Sequence, residues 1–304
     1  MPLKQENKTP ILWLQGLTCN ANTHSFLNLE YLQELLSRIE FLHHPILASP
    51  FSLTQLAQEK KKCDIIIFEG SFDPDLKREG ESVKKLLLQY AKEAHYIIAL
   101  GTCASFGGIF KEVAPEKNSG LIFNAELPKG PLLPYKEKVI NISGCPIHPE
   151  WIGSTLMLLL DKLQIPLDAL HRPQELYAPL AHHGCSRNEY FEWKVDADNF
   201  GEKEGCLFYK QGCRAPMTHA SCNKILWNEV NSKTRAGTPC FGCTESDFPR
   251  QNLFETKTNM SIPQETPLGV SKRSYLTITG IAKTFHIKRL EEKLIDYKKN
   301  NSTD

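Results

Sequence analysis

The segment DIIIFEG at residues 64–70 decides the fold of this chain. Its four consecutive apolar residues, three of them β-branched, lead to an acidic residue and a glycine, which is typical of a strand covered on both faces. Comparable apolar runs lie at 11–14, 41–42, 96–100 and 139–142. Stretches with helical spacing lie at 31–39, 83–91 and 150–163. This alternation predicts βαβ units around a parallel sheet, which is an α/β fold.

The composition is that of an ordinary globular protein in all but one respect. The chain has 304 residues and a formal net charge of +1, which predicts two domains and gives no electrostatic footprint for nucleic acid. No apolar run approaches the roughly 20 residues of a transmembrane segment. The N-terminal MPLKQENKTP shows no export signal, so we expect a cytoplasmic protein. The ten cysteines are the exception, and in a cytoplasmic chain they indicate metal or redox chemistry.

The character of the sequence changes after residue 173. Residues 1–173 carry the strand and helix pattern and form the predicted first domain. Residues 174–249 show little periodicity and hold six cysteines, so we expect bound metal to supply much of the folding energy of a second, irregular domain. Residues 250–304 form a C-terminal extension without cysteines, and a helix is expected over 286–299.

Three cysteines share one position relative to the predicted strands. Cys19, Cys103 and Cys145 each follow a strand. In an open α/β sheet, ligands bind beyond the carboxyl ends of the strands, at the point where strand order reverses. We therefore expect these cysteines at one ligand-binding edge, flanked by small residues that admit a bulky cluster; the alternative is three buried, inert cysteines. Cys63 starts a strand at its far end and is expected to be a small buried hydrophobe.

Two further cysteine groups lie in the predicted second domain. The first combines one histidine of the pair at 182–183, for which spacing favours His182, with Cys185, Cys206 and Cys213. This set suits either a structural zinc ion or an iron–sulfur cluster. The second group is Cys222, Cys240 and Cys243. It suits a cluster better than a lone redox pair, although it is one cysteine short of a fully cysteine-ligated cubane.

Together these residues resemble the small subunit of [NiFe] hydrogenases, over roughly residues 10–250. No single motif carries the resemblance, whereas all of them in this order are highly specific. The motifs are Leu12-Trp13-Leu14-Gln15-Gly16, Gly101-Thr102-Cys103-Ala104, Gly144-Cys145-Pro146, His182-x-x-Cys185-x-Arg187, Gly205-Cys206-Leu207, Gly212-Cys213-Arg214-Ala215-Pro216, Cys222-Asn223-Lys224-Ile225-Leu226-Trp227-Asn228 and Pro239-Cys240-Phe241-Gly242-Cys243.

The resemblance implies a flavodoxin-like sheet domain, then an irregular domain that binds iron–sulfur clusters. The Ni–Fe centre that reacts with H2 would belong to a separate large subunit, with which this chain would form a heterodimer. This chain would carry electrons, in H2 uptake, from that centre to an acceptor that the sequence does not identify. The resemblance implies three clusters: a proximal one on Cys19, Cys103 and Cys145, a distal one on His182, Cys185, Cys206 and Cys213, and a medial one on Cys222, Cys240 and Cys243.

The sequence departs from the family pattern in the first cysteine loop. Where relatives have Cys-x-x-Cys, this chain has Cys19-Asn20-Ala21-Asn22. Asn22 either ligates iron through its amide oxygen or only hydrogen-bonds, with water, hydroxide or a carboxylate such as Glu69 as the ligand. Loss of a thiolate removes one negative charge, which is expected to raise the cluster potential. Glu69 is expected to accept backbone hydrogen bonds beside this cluster, the alternatives being ligation or proton relay.

Two other departures concern the later clusters. Lys233 stands where relatives have proline or cysteine, which leaves the medial cluster as [3Fe-4S], or as [4Fe-4S] with a non-cysteine ligand. The proximal and distal clusters are expected to be [4Fe-4S]. The interval from Cys206 to Cys213 is one residue longer than in common relatives. The Cys-x-x-Asn form, together with Ser232-Lys233-Thr234-Arg235, is similar to the cytosolic group 2 branch of cyanobacterial uptake enzymes and hydrogen sensors.

Three alternative functions remain open from the sequence. One is a hydrogen-sensing protein that passes its signal to a kinase. Another is a zinc-binding structural protein without electron transfer. The third is a component of a related redox complex with only the proximal cluster, against which the six cysteines after residue 184 argue.

Overall fold

A computed structural model describes residues 8–284 of the chain. Within them the chain divides into two compact units. The sheet unit comprises the described residues up to Pro179 together with Cys243–Arg250, and the cysteine-rich unit comprises Leu180–Gly242 and the described residues from Gln251 onward. The helix predicted over 286–299 lies outside the described residues. The domain boundaries predicted at 173 and 249 stay predictions.

The sheet unit is built on a five-stranded parallel sheet. Its described strands are β1 (Thr9–Gln15), β2 (Ile39–His43), β3 (Ile65–Glu69), β4 (Lys77–Arg78), β5 (Glu81–Ser82), β6 (Tyr96–Leu100) and β7 (Val139–Ile142). The parallel sheet has the order β2-β1-β3-β6-β7, while β4 and β5 pair as a small hairpin. This is the flavodoxin-like order, in which the direction of winding reverses between β1 and β3. The predicted parallel α/β fold is thus confirmed.

Helices cover both faces of this sheet. The helices of the unit are α1 (Ala21–Leu27), α2 (Leu32–Arg38), α3 (Leu53–Gln58), α4 (Val83–Ala91), α5 (Thr102–Phe106), α6 (Gly108–Val113), α7 (Pro149–Leu160) and α8 (Gln174–Tyr177), with a 3-10 helix at Leu133–Lys138. On one face, Leu12 and Ile66 belong to a cluster of 24 buried residues that also includes Leu87 of α4. On the other face, the rings of Trp13 and Phe26 of α1 lie 5.3 Å apart. All of β3 is buried as a result.

The sequence pattern predicted α2, α4 and α7, but not α1, α5 and α6. Helices α1, α5 and α6 have five to seven residues, and most of the residues that they bury are polar or small, so they show no apolar helical spacing. The helix predicted over 150–163 ends at Leu160 instead, because Lys162 adopts a left-handed conformation with φ of 55°. Cys63 is buried in the large cluster, where burial raises the pKa of its thiol to about 12, which confirms its predicted role as a buried hydrophobe.

The cysteine-rich unit has little regular structure. Its elements are α9 (Asn188–Trp193), α10 (Phe208–Gln211), α11 (Lys272–Thr284), β8 (Thr258–Asn259) and β9 (Ile262–Pro263), with 3-10 helices at Ala181–Gly184 and Ala215–Met217. A small apolar cluster joins Cys206, Phe208 and Tyr275 of α11. The sequence pattern did not predict α11. Between residues 8 and 284 no helix is long and apolar enough to cross a bilayer.

Candidate metal centres

The carboxyl edge of the sheet carries the first group of cysteines. Cys19 follows β1, Cys103 lies at the start of α5 directly after β6, and Cys145 follows β7. Cys19 and Cys145 are exposed, and Cys103 is half-buried. The first of these loops adjoins the reversal between β1 and β3, where open α/β sheets bind their ligands. The topology therefore places the three predicted proximal ligands along one edge.

The sulfur of Cys103 lies against the first turn of α6. A Cβ atom on Gly108 would stand 2.4 Å from Cys103 Sγ, so a side chain there would displace the sulfur. The backbone N–H of Ile109 donates to this sulfur. Burial raises the pKa of the Cys103 thiol to about 11. A coordinating metal removes this proton, because its charge reverses the balance that burial sets.

Asn22 links, through hydrogen bonds, the loops that carry Cys103 and Cys145. Asn22 is buried, with 8% of the residue exposed. The amide Oδ1 accepts a hydrogen bond from the Ile147 N–H at 3.0 Å, and Nδ2 donates to the Leu100 carbonyl at 3.3 Å. Gly101, at φ +88°, makes room for this amide, since a Cβ there would lie 2.2 Å from Nδ2. Both ends of the amide thus position backbone, and its oxygen retains a second lone pair.

Glu69, at the end of β3, fixes the start of α1. It is fully buried, and its Oε1 accepts hydrogen bonds from the N–H groups of Asn22 and Thr23, each at 3.1 Å. Its Oε2 accepts from the Thr23 hydroxyl and, at 3.4 Å, from Gln15 Nε2. Four donors occupy the acceptor capacity of one carboxylate. This geometry agrees with the expected role of Glu69 as a hydrogen-bond acceptor beside the proximal site.

Thr102 joins two proximal loops to the last cysteine. Its N–H donates to the Gly144 carbonyl at 3.0 Å, and its hydroxyl accepts from the Gly144 N–H at 2.9 Å. The same hydroxyl donates to the carbonyl of Cys243. Cys243 begins the segment 243–250, which belongs to the sheet unit. A proximal ligand loop and a predicted medial ligand are therefore in direct hydrogen-bond contact through one side chain.

The second group of cysteines lines one cavity in the cysteine-rich unit. Cys185, Cys206, Cys213 and His182 all face it. His183 is exposed, and its Nδ1 accepts from the Leu180 N–H at 3.4 Å. Burial lowers the pKa of His182 to about 4, which keeps the imidazole neutral as metal ligation requires. The structure thus brings together the four predicted distal ligands and supports His182 over His183.

Arg187 borders the same cavity as a buried cation. It is 4% exposed, and its guanidinium donates to the carbonyls of Thr234 (2.7 Å), Gly205 (2.7 Å), Glu204 (3.2 Å) and Glu202. Its backbone N–H donates to Cys185 Sγ at 3.4 Å. Because a guanidinium stays charged, it both fastens these loops and supplies positive charge beside the thiolates.

The third group of cysteines is divided between the units. Cys222 and Cys240 belong to the cysteine-rich unit and Cys243 to the sheet unit, so this ligand set stays a prediction. The Cys240 N–H donates to Cys213 Sγ at 3.3 Å, which links a predicted medial ligand to a distal one. Lys233 is exposed, and its ammonium lies 3.6 Å from the centre of the Phe241 ring. In the sequence, Phe241 lies between Cys240 and Cys243.

The residues present fit iron–sulfur clusters. Among residues 8–284, no set of His, Cys, Asp or Glu side chains is arranged around a single metal ion. The proximal and distal sets instead combine soft thiol donors with backbone N–H groups that point at sulfur, on Cys103, Cys185, Cys206 and Cys213. Hydrogen bonds to sulfur are a principal means of setting the potential of such clusters. Fold and sites together define a protein with a flavodoxin-like sheet unit and cysteine sets that fit iron–sulfur clusters.

Comparison with known proteins agrees with this class. The family model for the C-terminal region of the NiFe/NiFeSe hydrogenase small subunit matches residues 177–255, which include all six later cysteines. The model of the 20 kDa subunit of NADH ubiquinone oxidoreductase matches residues 19–159, which include the three proximal cysteines.

Similar curated proteins and solved structures cover most of the chain. The F420 non-reducing hydrogenase I small subunit of Methanosarcina mazei is 32% identical over 289 residues, covering 80% of this chain and 74% of the relative. The uptake hydrogenase small subunit of Azotobacter vinelandii is 26% identical, covering 90% and 78%. The [NiFeSe] hydrogenase structure from Desulfovibrio vulgaris Hildenborough aligns with a TM-score of 0.67 at 26% identity, over 82% of this chain and 98% of that one.

This chain belongs to the small subunits of [NiFe] hydrogenases. These subunits carry iron–sulfur clusters and pair with a large subunit that holds the Ni–Fe site, in oxidoreductases that act on H2. Family membership favours clusters over the zinc alternative. The match over the six later cysteines also disfavours a protein with a proximal cluster alone.

Sequence reasoning gave no role to several side chains that organise these sites. Thr102 and Arg187 were visible within motifs, but their partners are remote in sequence. Lys111, on α6, belongs to no motif. For Thr102 and Arg187, the local signal in the sequence is their position close to the predicted ligands Cys103 and Cys185.

Proposed function

We propose that this chain is the electron-transferring subunit of an H2-oxidising hydrogenase and carries three clusters in the order proximal, medial, distal. The observation that carries the order is the pair of contacts between ligand groups. The Thr102 hydroxyl, beside Cys103, donates to the Cys243 carbonyl, and the Cys240 N–H donates to the Cys213 sulfur. One predicted medial ligand thus contacts the proximal group, and another contacts the distal group.

In this proposal the clusters supply one-electron chemistry, and the chain's own residues hold and insulate them. The ligands are the cysteines predicted above, with His182 in the distal set. The aromatic rings of His182, Phe191 and Phe208 pack in series, with centroids 4.5 and 5.5 Å apart. Such packing would shield from water the side of the distal cavity that His182 and Phe208 line. The proximal and distal clusters would be [4Fe-4S].

We further propose that Asn22 positions the proximal loops and that a solvent-derived ligand completes the cluster. The support is the commitment of both ends of its amide to backbone groups and of Glu69 to four donors. Asn22→Ala should keep the proximal EPR line shape while weakening the loops. Asn22→Cys should lower the potential by adding a thiolate. Loss of the wild-type line shape in Asn22→Ala, with a new line shape in Asn22→Cys, would instead support ligation by Asn22.

The medial cluster is proposed to be [3Fe-4S]. Three cysteines are available, and Lys233, where a fourth ligand would arise, is a cation held over Phe241. An ammonium has no lone pair with which to bind iron. Lys233→Cys is therefore expected to convert the cluster to [4Fe-4S], seen as loss of the [3Fe-4S] EPR signal of the oxidised protein.

We also propose a cytoplasmic uptake enzyme of the group 2 type. The Cys-x-x-Asn loop and the Ser232–Arg235 segment support this branch, and relatives named as uptake hydrogenases support the direction. Other relatives are named as periplasmic, so cell fractionation with the large subunit present is the test of location. Very slow turnover combined with binding to a histidine kinase would instead identify a hydrogen sensor.

The decisive experiment is purification of this chain with its co-expressed large subunit. Iron, acid-labile sulfide, nickel and zinc are measured, and EPR spectra are recorded in the oxidised and reduced states. We expect iron and sulfide for three clusters, nickel in the large subunit, and rapid H2-dependent reduction of an artificial acceptor. A colourless protein with zinc and no sulfide would overturn the proposal.

A further inference from the structure

Lys111 is a buried lysine in the sheet unit. It lies on α6, and its side chain is 7% exposed. Buried lysines are rare unless the ammonium is satisfied. Here Nζ donates to the carbonyl of Ser246 at 3.0 Å and to that of Phe248 at 2.9 Å. Both acceptors are neutral backbone groups, so they hold the ammonium in place without cancelling its charge.

The charge of Lys111 is only weakly compensated. The carboxylate paired with it is that of Glu112, whose oxygen lies 3.7 Å from Nζ and whose side chain is 54% exposed. An exposed carboxylate at this distance is screened by solvent and contributes little. The charge of this ammonium is therefore screened less toward buried groups than toward solvent, because the effective dielectric constant of the protein interior is lower.

The stem of Lys111 packs against the same turn as the sulfur of Cys103, a predicted proximal ligand. A Cβ on Gly108 would stand 2.4 Å from Cys103 Sγ, and one on Gly107 would stand 2.9 Å from Lys111 Cβ. The sulfur and the lysine stem thus lie against adjacent residues of one turn. Burial is the largest influence on both side chains, raising the pKa of Cys103 and lowering that of Lys111, and the two groups partly offset this for each other.

We propose that Lys111 raises the reduction potential of the proximal cluster by placing a fixed positive charge beside Cys103. The inference rests on the proposed function, because it requires a cluster on Cys19, Cys103 and Cys145. Reduction adds one electron from the Ni–Fe centre, and a nearby cation stabilises the more negative state. No bond forms or breaks at Lys111. The missing thiolate at Asn22 acts in the same direction, so both features favour electron entry from H2.

Four variants of the complex with the large subunit test this inference by EPR-monitored redox titration. Lys111→Met should shift the proximal midpoint potential to more negative values. Lys111→Arg, which keeps the charge, should have a potential close to that of the unsubstituted protein. Glu112→Gln should give a smaller shift to more positive values, because it removes the compensating carboxylate. Lys129→Met is the matched control, since Lys129 is 60% exposed and pairs with Glu116, and it should leave the potential unchanged.

The outcomes separate electrostatics from mere anchoring. Lower stability in Lys111→Met with an unchanged potential overturns the inference, because anchoring of residues 246–248 alone does not move a potential. A negative shift in Glu112→Gln also overturns it. If Lys111→Met does not assemble, the potentials of the other two variants decide: an unchanged potential in Lys111→Arg with a positive shift in Glu112→Gln supports the inference, and any other result overturns it. A complex that lacks a proximal signal before any substitution overturns the proposed function and this inference with it, whereas a normal signal with an insensitive potential overturns the inference alone.

Discussion

The two units of this chain hold their cysteines by different means. In the sheet unit, a cluster of 24 buried residues forms a core that is independent of any cysteine ligand. The comparable cluster of the cysteine-rich unit has three buried residues, and one of them, Cys206, is itself a predicted ligand. The proximal loops are therefore positioned by a core that the sheet unit forms by itself, whereas the distal loops have little apolar core, and we expect bound clusters to complete their folding.

The polar contacts repeat this contrast. Glu69, Asn22 and Thr102 tie the proximal loops to strand ends that are already fixed by the sheet. Arg187 ties distal loops to one another, through carbonyls of residues 202–205 and 234. A scaffold built on strands predetermines the geometry of its site, while one built on loops depends on a few buried polar groups and on the cluster itself.

Loss of iron should have the largest effect, and it should affect the two units differently. Cluster removal from the purified complex should unfold Leu180–Gly242, because structural metal supplies on the order of 10 kcal/mol to such small domains. The strands β1, β3 and β6 should stay protected. Hydrogen exchange followed by mass spectrometry distinguishes the two regions, with the iron-loaded Cys63→Ala variant as a control of normal cluster content. Protection that persists across 180–242 without iron would contradict this view.

Removal of the Arg187 side chain should have the next largest effect. Arg187→Met leaves four carbonyls without their donor, two in buried and two in partly buried hydrogen bonds, and we expect a loss of roughly 3–5 kcal/mol in the cysteine-rich unit. Urea unfolding of the holoprotein measures this loss, and hydrogen exchange locates it. Arg187→Lys should recover part of it. Arg235→Met, at an exposed position, serves as the control and should be near neutral. An equal loss in both methionine variants would count against the role of Arg187.

The sheet unit should show its own sensitivity to acid through His44. Burial lowers the pKa of His44 to about 4 from an ordinary value near 6.5, and its Nδ1 accepts the N–H groups of Ile46 and Leu47. The unfolded state therefore binds the proton first. The contribution of the neutral His44 side chain to the stability of the folded state is complete above pH 6.5. It is lost as pH falls toward 4, by about 3 kcal/mol.

The variant His44→Gln should flatten this pH dependence in the sheet unit. Unfolding monitored between pH 7 and 4 is the measurement. His95→Gln, whose side chain is 67% exposed in the parent, should leave the slope as it is. An unchanged slope in His44→Gln would show that other groups carry the acid sensitivity.

Thr102→Val should have the smallest of these effects. It removes the hydroxyl contacts to the Gly144 N–H and the Cys243 carbonyl, and leaving such buried groups unpaired costs about 1–3 kcal/mol. Chemical denaturation measures the change. Thr54→Val, which loses one exposed hydrogen bond to the Glu79 carbonyl, is the control. A loss no greater than that of the control would mean that Thr102 does not join the loops energetically.

Local pattern and residue chemistry were sufficient for the sheet and for the position of Cys19, Cys103 and Cys145 after its strands. The run at 64–70 specified a doubly covered strand, and the cysteines after 14, 100 and 142 followed from the strand ends. Helices α1, α5 and α6 were missed because they are short and bury mostly polar or small residues, so they show no apolar helical spacing. Helix α11 was missed because the mixed polarity of Lys272–Thr284 hid its apolar contact with Phe208.

The sequence by itself indicated the fold class and the family, because these depend on periodicity and motif order, and it predicted the ligand types from cysteine and histidine spacing. Only the tertiary structure decided how each ligand is held. The Thr102 hydroxyl meets Cys243 across 141 residues of sequence, and the Lys111 ammonium meets Phe248 across 137. Contacts of this range arise from the way the sheet edge gathers distant loops, and no local pattern of residues encodes them.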